Sequence, residues 1–193
     1  MPGAEPSGKI RTTGLDHVHI VVRDLDGLLD LLGRLFVSEQ TLQSEIASIG
    51  AFNAQVRFPA SSSSPYLDLF EPSSDDGLLG KSLARTGEGV TILSFGVDDL
   101  EHAEAHATSC GLRVISRIGF PGVMSQVQFH PADTFGFQLE FVQYEPDAEA
   151  CIAEIQRRKA AGEGVDGLRV RRPRPSAGAD SSTATTESEQ EGR

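Results

Sequence analysis

The chain alternates between short runs with a two-residue apolar period and longer runs with helical spacing. In the run Asp16–Arg23, the valines and isoleucine at 18, 20 and 22 share one face, and His17 and His19 share the other. The run Asp24–Phe36 follows with leucines at helical spacing behind an aspartate suited to a helix N-cap. Three further strand patterns cover residues 38–48, 52–58 and 66–70. This half therefore predicts the order strand, helix, strand, strand, strand.

The same order of patterns returns after a short helix or linker over residues 77–87. A strand pattern over 90–97 leads into a helix from Asp99 to Cys110, which Gly111 is expected to end. Strand patterns follow over residues 112–118, 123–130 and 137–144. The chain therefore contains an internal duplication, and we predict an α+β fold of two tandem βαβββ modules around one cleft.

The duplication relates individual positions when the two helix starts, Asp24-Leu25 and Asp99-Leu100, are aligned. His17 then matches Ile92, and His19 matches Ser94. The segment LDLFE around Asp68 matches LEFVQ around Glu140. We therefore expect four related positions to face one concave surface: His17, Asp68, Ile92 and Glu140.

Two features of this surface are candidates for chemistry. His-x-His on a strand points both imidazoles of His17 and His19 to one side, where they either meet solvent or bind a metal ion. Glu140 is a lone carboxylate in the middle of an apolar strand, so it requires water, a cationic partner or a metal.

Composition narrows the class of protein. The net charge of −11 over 193 residues disfavours a nucleic-acid binder. We find no run that predicts a signal peptide or a membrane span, and the two cysteines are most simply free thiols. These features favour a soluble cytoplasmic protein that does not bind membranes.

Three motifs carry a resemblance to a known family. The segments DHVHIVV (16–22), GEGV…FGVDDLEHA (87–103) and FHPADTFGFQLEFVQ (129–143) resemble those of the vicinal oxygen chelate superfamily, with the closest likeness to methylmalonyl-CoA epimerase. The superfamily also contains glyoxalase I, extradiol dioxygenases and antibiotic-resistance proteins. The resemblance covers about residues 14–145 and implies modules over 14–76 and 88–145.

The resemblance implies a metal site in the cleft. Its ligands would be His17, Asp68 and Glu140, while Ile92 stands where the family has a second histidine. Asn53 stands where the epimerases have a second carboxylate that acts as a partner base. His19 is either a replacement ligand or a proton shuttle.

The implied activity is that of a metal-dependent isomerase, epimerase or lyase acting next to a carbonyl, on a small molecule such as an acyl-CoA. The catalytic residues would be Glu140 and His19, and the metal Co²⁺, Zn²⁺, Mn²⁺, Mg²⁺ or Fe²⁺. A metal-free binding or resistance protein on the same scaffold is the alternative, which Ile92 favours. An extradiol-type oxygenase is a third hypothesis. The superfamily also implies a homodimer.

The two ends of the chain lie outside the duplication. We predict a disordered arm over residues 1–13, a helix over residues 146–161 and a disordered tail over residues 162–193. A basic segment begins in the helix, and we interpret it as solvated, with contact to a phosphate of coenzyme A as the alternative. Its members are Arg157, Arg158, Lys159, Arg169, Arg171, Arg172 and Arg174.

Overall fold

The computed structural model describes residues 8–58, 65–162 and 168–170. The first module contains β1 (Thr12–Val21), α1 (Leu25–Leu35), β2 (Glu39–Gln40), β3 (Ser44–Ile46), β4 (Ala51–Arg57) and β5 (Tyr66–Pro72). Helix α2 (Leu78–Thr86) leads to β6 (Gly89–Val97), α3 (Leu100–Ser109), β7 (Val114–Phe120), β8 (Met124–Phe129) and β9 (Gln138–Tyr144). The chain continues into α4 (Ala148–Ala160) and β10 (Leu168–Val170).

This architecture confirms the predicted α+β fold of two tandem modules and differs in local detail. The stretch 38–48 forms two short strands instead of one. Strand β1 begins at Thr12, inside the segment expected to be a disordered arm. Strand β10 pairs with β3, so the expected disordered tail contains at least one strand. Residues 163–167 and 171–193 of that tail, like the first seven residues of the chain, lie outside the described part of the chain.

One mixed sheet joins the two modules in the order β10-β3-β4-β5-β1-β6-β9-β8-β7, with β2 also paired to β4. At its centre, β1 and β6 are antiparallel and set His17 opposite Ser94 and His19 opposite Ile92. Each central strand has a parallel neighbour in its own module, β1 with β5 and β6 with β9. His19 is in register with Asp68, and Ser94 with Glu140. These pairs reproduce the alignment that the duplication predicts.

The apolar side chains opposite the candidate site pack against the helices. In the first module Leu25 and Leu69 are fully buried between α1 and the sheet. In the second, Phe129 and Phe141 pack edge to face, 5.2 Å between ring centroids, beside Ala103 of α3. Because side chains alternate along a strand, this packing leaves the polar positions of β1, β5, β6 and β9 on the concave side.

The first helix of each module, α1 or α3, is fixed to the strand that carries a site carboxylate. The amide of Leu25, at the start of α1, donates to Glu71 Oε2 at 2.9 Å, and the amide of Leu100, at the start of α3, donates to Gln143 Oε1 at 2.8 Å. Glu71 and Gln143 lie three residues after Asp68 and Glu140. The predicted N-caps are confirmed, with each carboxylate accepting a backbone amide: Asp24 and Asp99.

The C-terminal helix forms as predicted, but its basic end is not wholly solvated. Lys159 is only 7% exposed, whereas Arg157 is exposed two residues earlier. The solvated interpretation is therefore wrong for Lys159. In helical geometry, Lys159 follows Ala148, Ile152 and Ile155 along one face of α4, and that face packs onto the domain. Within the described ranges, no helix is both long and apolar enough to cross a membrane.

Candidate metal and substrate site

Three donor atoms from two modules converge on one buried point. His17 Nε2 lies 2.8 Å from His19 Nε2 and 3.2 Å from Glu140 Oε1. His19 Nε2 lies 3.8 Å from the same Glu140 oxygen. The sheet explains the convergence, because His17 and His19 alternate onto the same face of β1 while Glu140 comes from β9, across β6.

The spacing of these atoms fits a divalent cation. Metal–ligand bonds of about 2.0–2.1 Å place neighbouring donors about 2.9 Å apart in octahedral geometry and about 3.4 Å apart in tetrahedral geometry. Two of the three separations fall near this range, and the third is somewhat wider. Two imidazoles and a carboxylate suit Zn²⁺, Fe²⁺, Co²⁺ or Mn²⁺ and leave coordination positions for substrate and water.

The carboxylate of Asp16 fixes the orientation of the His17 ring. Asp16 Oδ1 lies 2.6 Å from His17 Nδ1 and also accepts a hydrogen bond from Tyr144 Oη at 3.0 Å. A carboxylate on the far nitrogen is the usual partner of a metal-binding histidine, because it holds the other nitrogen toward the metal and strengthens it as a donor. Asp16 was not identified from sequence, although its place beside His17 was a usable signal.

The electrostatics of the cluster reflect close packing of opposite charges. Burial alone would lower the pKa of His17, but its contacts with Asp16 and Glu140 outweigh burial and raise that pKa to about 9. Burial alone would raise the pKa of Glu140, but hydrogen bonds with His17 and His19 hold it well below its usual range. Without a metal, His17 therefore stays protonated at neutral pH, and a bound cation would displace that proton.

Two glutamines hold the Glu140 carboxylate. Gln126 Nε2 donates to Oε1 at 3.1 Å, and Gln128 Nε2 donates to Oε2 at 2.7 Å. Both come from β8, whose pairing with β9 sets Gln128 directly opposite Glu140. The antiparallel pair of β8 and β9 therefore supplies both the carboxylate and its supports. Sequence analysis missed the glutamines, although their two-residue spacing in the preceding strand was visible.

Asp68 lies beside the cluster rather than within it. Its Oδ2 is 3.9 Å from His19 Nε2, while its Oδ1 accepts a hydrogen bond from Asn53 Nδ2 at 2.7 Å. Burial raises the pKa of Asp68, and the neighbouring histidines and Asn53 partly offset the rise. Asn53 therefore supports one oxygen of Asp68, and the other oxygen lies on the side of His19.

The position where the family has its second histidine is occupied by Ile92, as the sequence indicates. Ile92 lies directly opposite His19 in the β1–β6 ladder, so the two side chains share a face of the sheet. The neighbouring site-facing residue of β6, Ser94, is fully buried between His17 and Glu140. Among the described residues its hydroxyl has no hydrogen-bond partner, which fits a place for a substrate oxygen or a bound water.

Aromatic rings and a cavity border the cluster. The ring of Tyr66 stacks on His17 at 4.8 Å, and that of Phe70 stacks on His19 at 5.0 Å. A cavity of about 680 Å³ lies beside the cluster and is lined by Tyr66, Asp16 and residues of the first half of α4. The three donor residues do not line this cavity, but Tyr66 and Asp16, which contact His17, do.

Comparison with known proteins identifies the family. The family model of the Glyoxalase/Bleomycin resistance protein/Dioxygenase superfamily matches residues 16–129. No curated protein sequence matches the chain significantly. Among solved structures, methylmalonyl-CoA epimerase from Mycobacterium tuberculosis is 24% identical, with a TM-score of 0.64 over 77% of this chain and 97% of the epimerase.

Two further structures contain ligands. A methylmalonyl-CoA epimerase in complex with methylmalonyl-CoA and NH4+ is 27% identical, with a TM-score of 0.62 over 71% of this chain and 98% of the other. A variant of the Streptomyces coelicolor epimerase in complex with 2-nitronate-propionyl-CoA has the same identity, coverage and TM-score. The chain thus resembles epimerases over almost their whole length.

Proposed function

The chain belongs to the Glyoxalase/Bleomycin resistance protein/Dioxygenase superfamily, and from that membership we propose that it is a metal-dependent isomerase acting at the carbon next to the carbonyl of an acyl-CoA thioester. The observation that supports this proposal is the convergence of His17, His19 and Glu140 on one point, with donor separations of 2.8–3.8 Å. Epimerase structures that contain acyl-CoA ligands support the substrate class.

His19 takes the ligand role that Ile92 cannot fill. It faces Ile92 across the ladder, so its imidazole approaches the same point from the neighbouring strand. With His17, His19 and Glu140 as ligands, Asp68 is released from the ligand role that the resemblance gave it. A divalent cation held by these three residues would supply Lewis-acid polarisation of the thioester carbonyl.

Asp68 is then the group that accepts the proton from the α-carbon. Asn53 holds one of its oxygens, and the other lies 3.9 Å from His19 Nε2, beside the cluster. Burial raises the pKa of Asp68, which makes the carboxylate a stronger base. Ser94 is placed to donate its free hydroxyl to an oxygen of the substrate. A positioned base typically contributes about 10²–10⁴ in rate.

The test separates metal binding from chemistry. Metal-stripped protein is titrated calorimetrically with Co²⁺, Zn²⁺ and Mg²⁺, and the loaded protein is then incubated with methylmalonyl-CoA in D₂O while deuterium entry at the α-carbon is followed. We expect one metal per chain in both wild type and Asp68→Asn, with deuterium entry at least about a hundredfold slower in the variant.

The exposed pair of Asp30 and Arg34 provides the control, since Asp30→Asn removes a carboxylate far from the cleft and should change neither measurement. A folded protein that binds none of the metals contradicts the proposal and leaves the metal-free binding protein. Undiminished deuterium entry in Asp68→Asn would contradict only the proposed role of Asp68 and would leave the metal-dependent isomerase standing.

The donor set also favours a second candidate. Two histidines and one carboxylate with open positions is the ligand set of many non-haem iron oxygenases. This hypothesis predicts oxygen consumption by the Fe²⁺-loaded protein with a catechol, and no deuterium entry into acyl-CoA esters. Measuring both activities on one preparation distinguishes the two functions.

A further inference from the structure

Strand β1 contains an irregularity directly before the first histidine of the cluster. Leu15 pairs with Phe95 of β6. The next pair of the ladder joins His17 to Ser94, which leaves Asp16 as an extra residue on β1. Regular alternation would turn Asp16 to the opposite face from His17, whereas an extra residue re-aims the side chains beside it. The bulge therefore lets the Asp16 carboxylate lie beside the His17 ring, with Oδ1 2.6 Å from Nδ1.

The Asp16 carboxylate is partly exposed and makes a second contact. Its side chain is 21% exposed and lines the cavity beside the cluster, whereas the side chain of His17 is only 1% exposed. The oxygen that meets His17 Nδ1 also accepts a hydrogen bond from the hydroxyl of Tyr144 at 3.0 Å. Hydrogen bonds to a charged group are about twice as strong as those between neutral groups. Tyr144 therefore restrains the same atom that orients His17, at the place where solvent would otherwise compete for it.

The phenol of Tyr144 is suited to this contact because it keeps its proton. Burial raises the pKa of Tyr144, and the neighbouring Asp16 carboxylate raises it further. The hydroxyl therefore remains a donor beside the carboxylate and does not become a second anion that would repel it.

The contact also joins the two modules. Tyr144 lies on β9 four residues after Glu140, so the two side chains point to the same face of the sheet. Asp16 and His17 belong to β1, on the other side of β6. One strand of the second module thus supplies a carboxylate of the cluster and, through Asp16, the group that restrains a histidine of the first module.

We propose that Tyr144 is a positioning residue of the metal centre, which holds the Asp16 carboxylate on His17 Nδ1 and so keeps His17 Nε2 directed at the ion. The proposal rests on the metal binding by His17, His19 and Glu140 that the proposed function requires. A group that contacts a metal ligand directly typically changes metal affinity about 10- to 100-fold. Tyr144 acts one contact further out, so loss of its hydroxyl should weaken metal binding less, by about three- to tenfold.

The test follows the effect of one hydroxyl through Asp16. Affinities for Zn²⁺ and Co²⁺ are measured by competition with a chromophoric chelator for the wild type, Tyr144→Phe, Asp16→Ala and the double variant. Tyr144→Phe should bind both metals about three- to tenfold more weakly than the wild type and should change the visible absorption of bound Co²⁺. In the Asp16→Ala background, Tyr144→Phe should weaken binding by less than about twofold, because the carboxylate through which it acts is gone.

The controls separate positioning from packing. Tyr144→Phe retains the ring, and urea unfolding shows whether the fold persists. Glu149→Gln alters an exposed side chain that lines the same cavity from α4, and it should leave the affinities and the Co²⁺ absorption unchanged. A loss of stability in Tyr144→Phe with unchanged affinity and absorption would make Tyr144 a structural residue and overturn the proposal. An equal loss of affinity in the wild-type and Asp16→Ala backgrounds would also overturn it, since Tyr144 would then act by another route.

A measurement on the metal-free protein separates this proposal from the proposed function. Exchange of the His17 Nδ1 proton with solvent is followed by NMR, with His17→Asn identifying the signal. Exchange should be at least about threefold faster in Tyr144→Phe, because the carboxylate leaves the ring more often. A wild type that binds neither metal, but shows this faster exchange in the variant, would retain the hold of Tyr144 on His17 and contradict the metal-dependent isomerase. Tight metal binding with no change of exchange or affinity in Tyr144→Phe would do the reverse.

Discussion

Moving a histidine from one strand to its neighbour tests how this site binds a metal. His19 and Ile92 are directly opposite in the antiparallel ladder of β1 and β6. We therefore compare His19→Ala with the double variant His19→Ala, Ile92→His. The single variant should lose a ligand, and the double variant should supply an imidazole to the same point from the other strand.

The expected loss of metal affinity follows from the number of ligands, since His19 is one of only three donors. Removing a residue that only orients a ligand typically weakens metal binding 10- to 100-fold, so removing a ligand outright should weaken it at least about a hundredfold, or about 2.7 kcal/mol. Opposed side chains in such a ladder start about 4.5–5.5 Å apart at Cβ, which two imidazoles can span to meet at one point. The double variant should therefore regain at least about tenfold of the loss.

Competition titration of Zn²⁺ and Co²⁺ with a chromophoric chelator measures all three affinities, and visible absorption of bound Co²⁺ reports a change of coordination. Ile92→Ala serves as the matched control, because it opens the same space without supplying a nitrogen. Equal affinity in His19→Ala and wild type would refute the role of His19 and return Asp68 to the ligand set. A folded double variant with no recovery would refute the cross-strand argument.

Three further outcomes are expected. Asp16→Asn should weaken metal binding about 10- to 100-fold in the same titration, because the carboxylate 2.6 Å from His17 Nδ1 orients the ring; unchanged affinity would contradict that role. In metal-free protein, the raised pKa of His17 adds stability that is fully present below about pH 6.5 and is lost as the pH rises through about 9, so urea midpoints should fall across this window in wild type but not in His17→Asn. Leu69→Ala, in a fully buried position under α1, should lower the free energy of unfolding by about 2–5 kcal/mol in urea, and a loss below about 1 kcal/mol would contradict its place in the core.

The fold was predictable because its signals are local and repeated. Asp24 and Asp99 begin helices in both modules, and the strand patterns around them recur in the same order. The alignment of His17 with Ile92 and of His19 with Ser94 agrees with the twofold relation at the sheet centre, where His17 pairs with Ser94 and His19 with Ile92. Because the pattern occurs twice, local signals also indicate which residues of the two modules occupy equivalent positions. A single copy of the pattern carries no such information.

The details of the site depended on distances that no local pattern encodes. The sequence places His19 on the same face as His17, but only the β1–β6 ladder shows that His19 stands opposite Ile92. Lys159 lies in a run of basic residues, which normally indicates a solvated segment. Its burial depends on where α4 packs, and helical spacing from Ile152 and Ile155 was the available signal.

The two modules have diverged so that the centre of the site is not symmetric. The approximate twofold relation of the strands matches His17 with Ile92, His19 with Ser94, and Asp68 with Glu140. A symmetric site would draw one imidazole and one carboxylate from each module. Here both imidazoles come from β1 and the nearest carboxylate from β9.

This asymmetry has a chemical consequence. Glu140 is held by two glutamines beside the histidines, whereas Asp68 has one oxygen held by Asn53, the other 3.9 Å from His19 Nε2, and a raised pKa. One carboxylate is therefore suited to hold a cation and the other to exchange a proton.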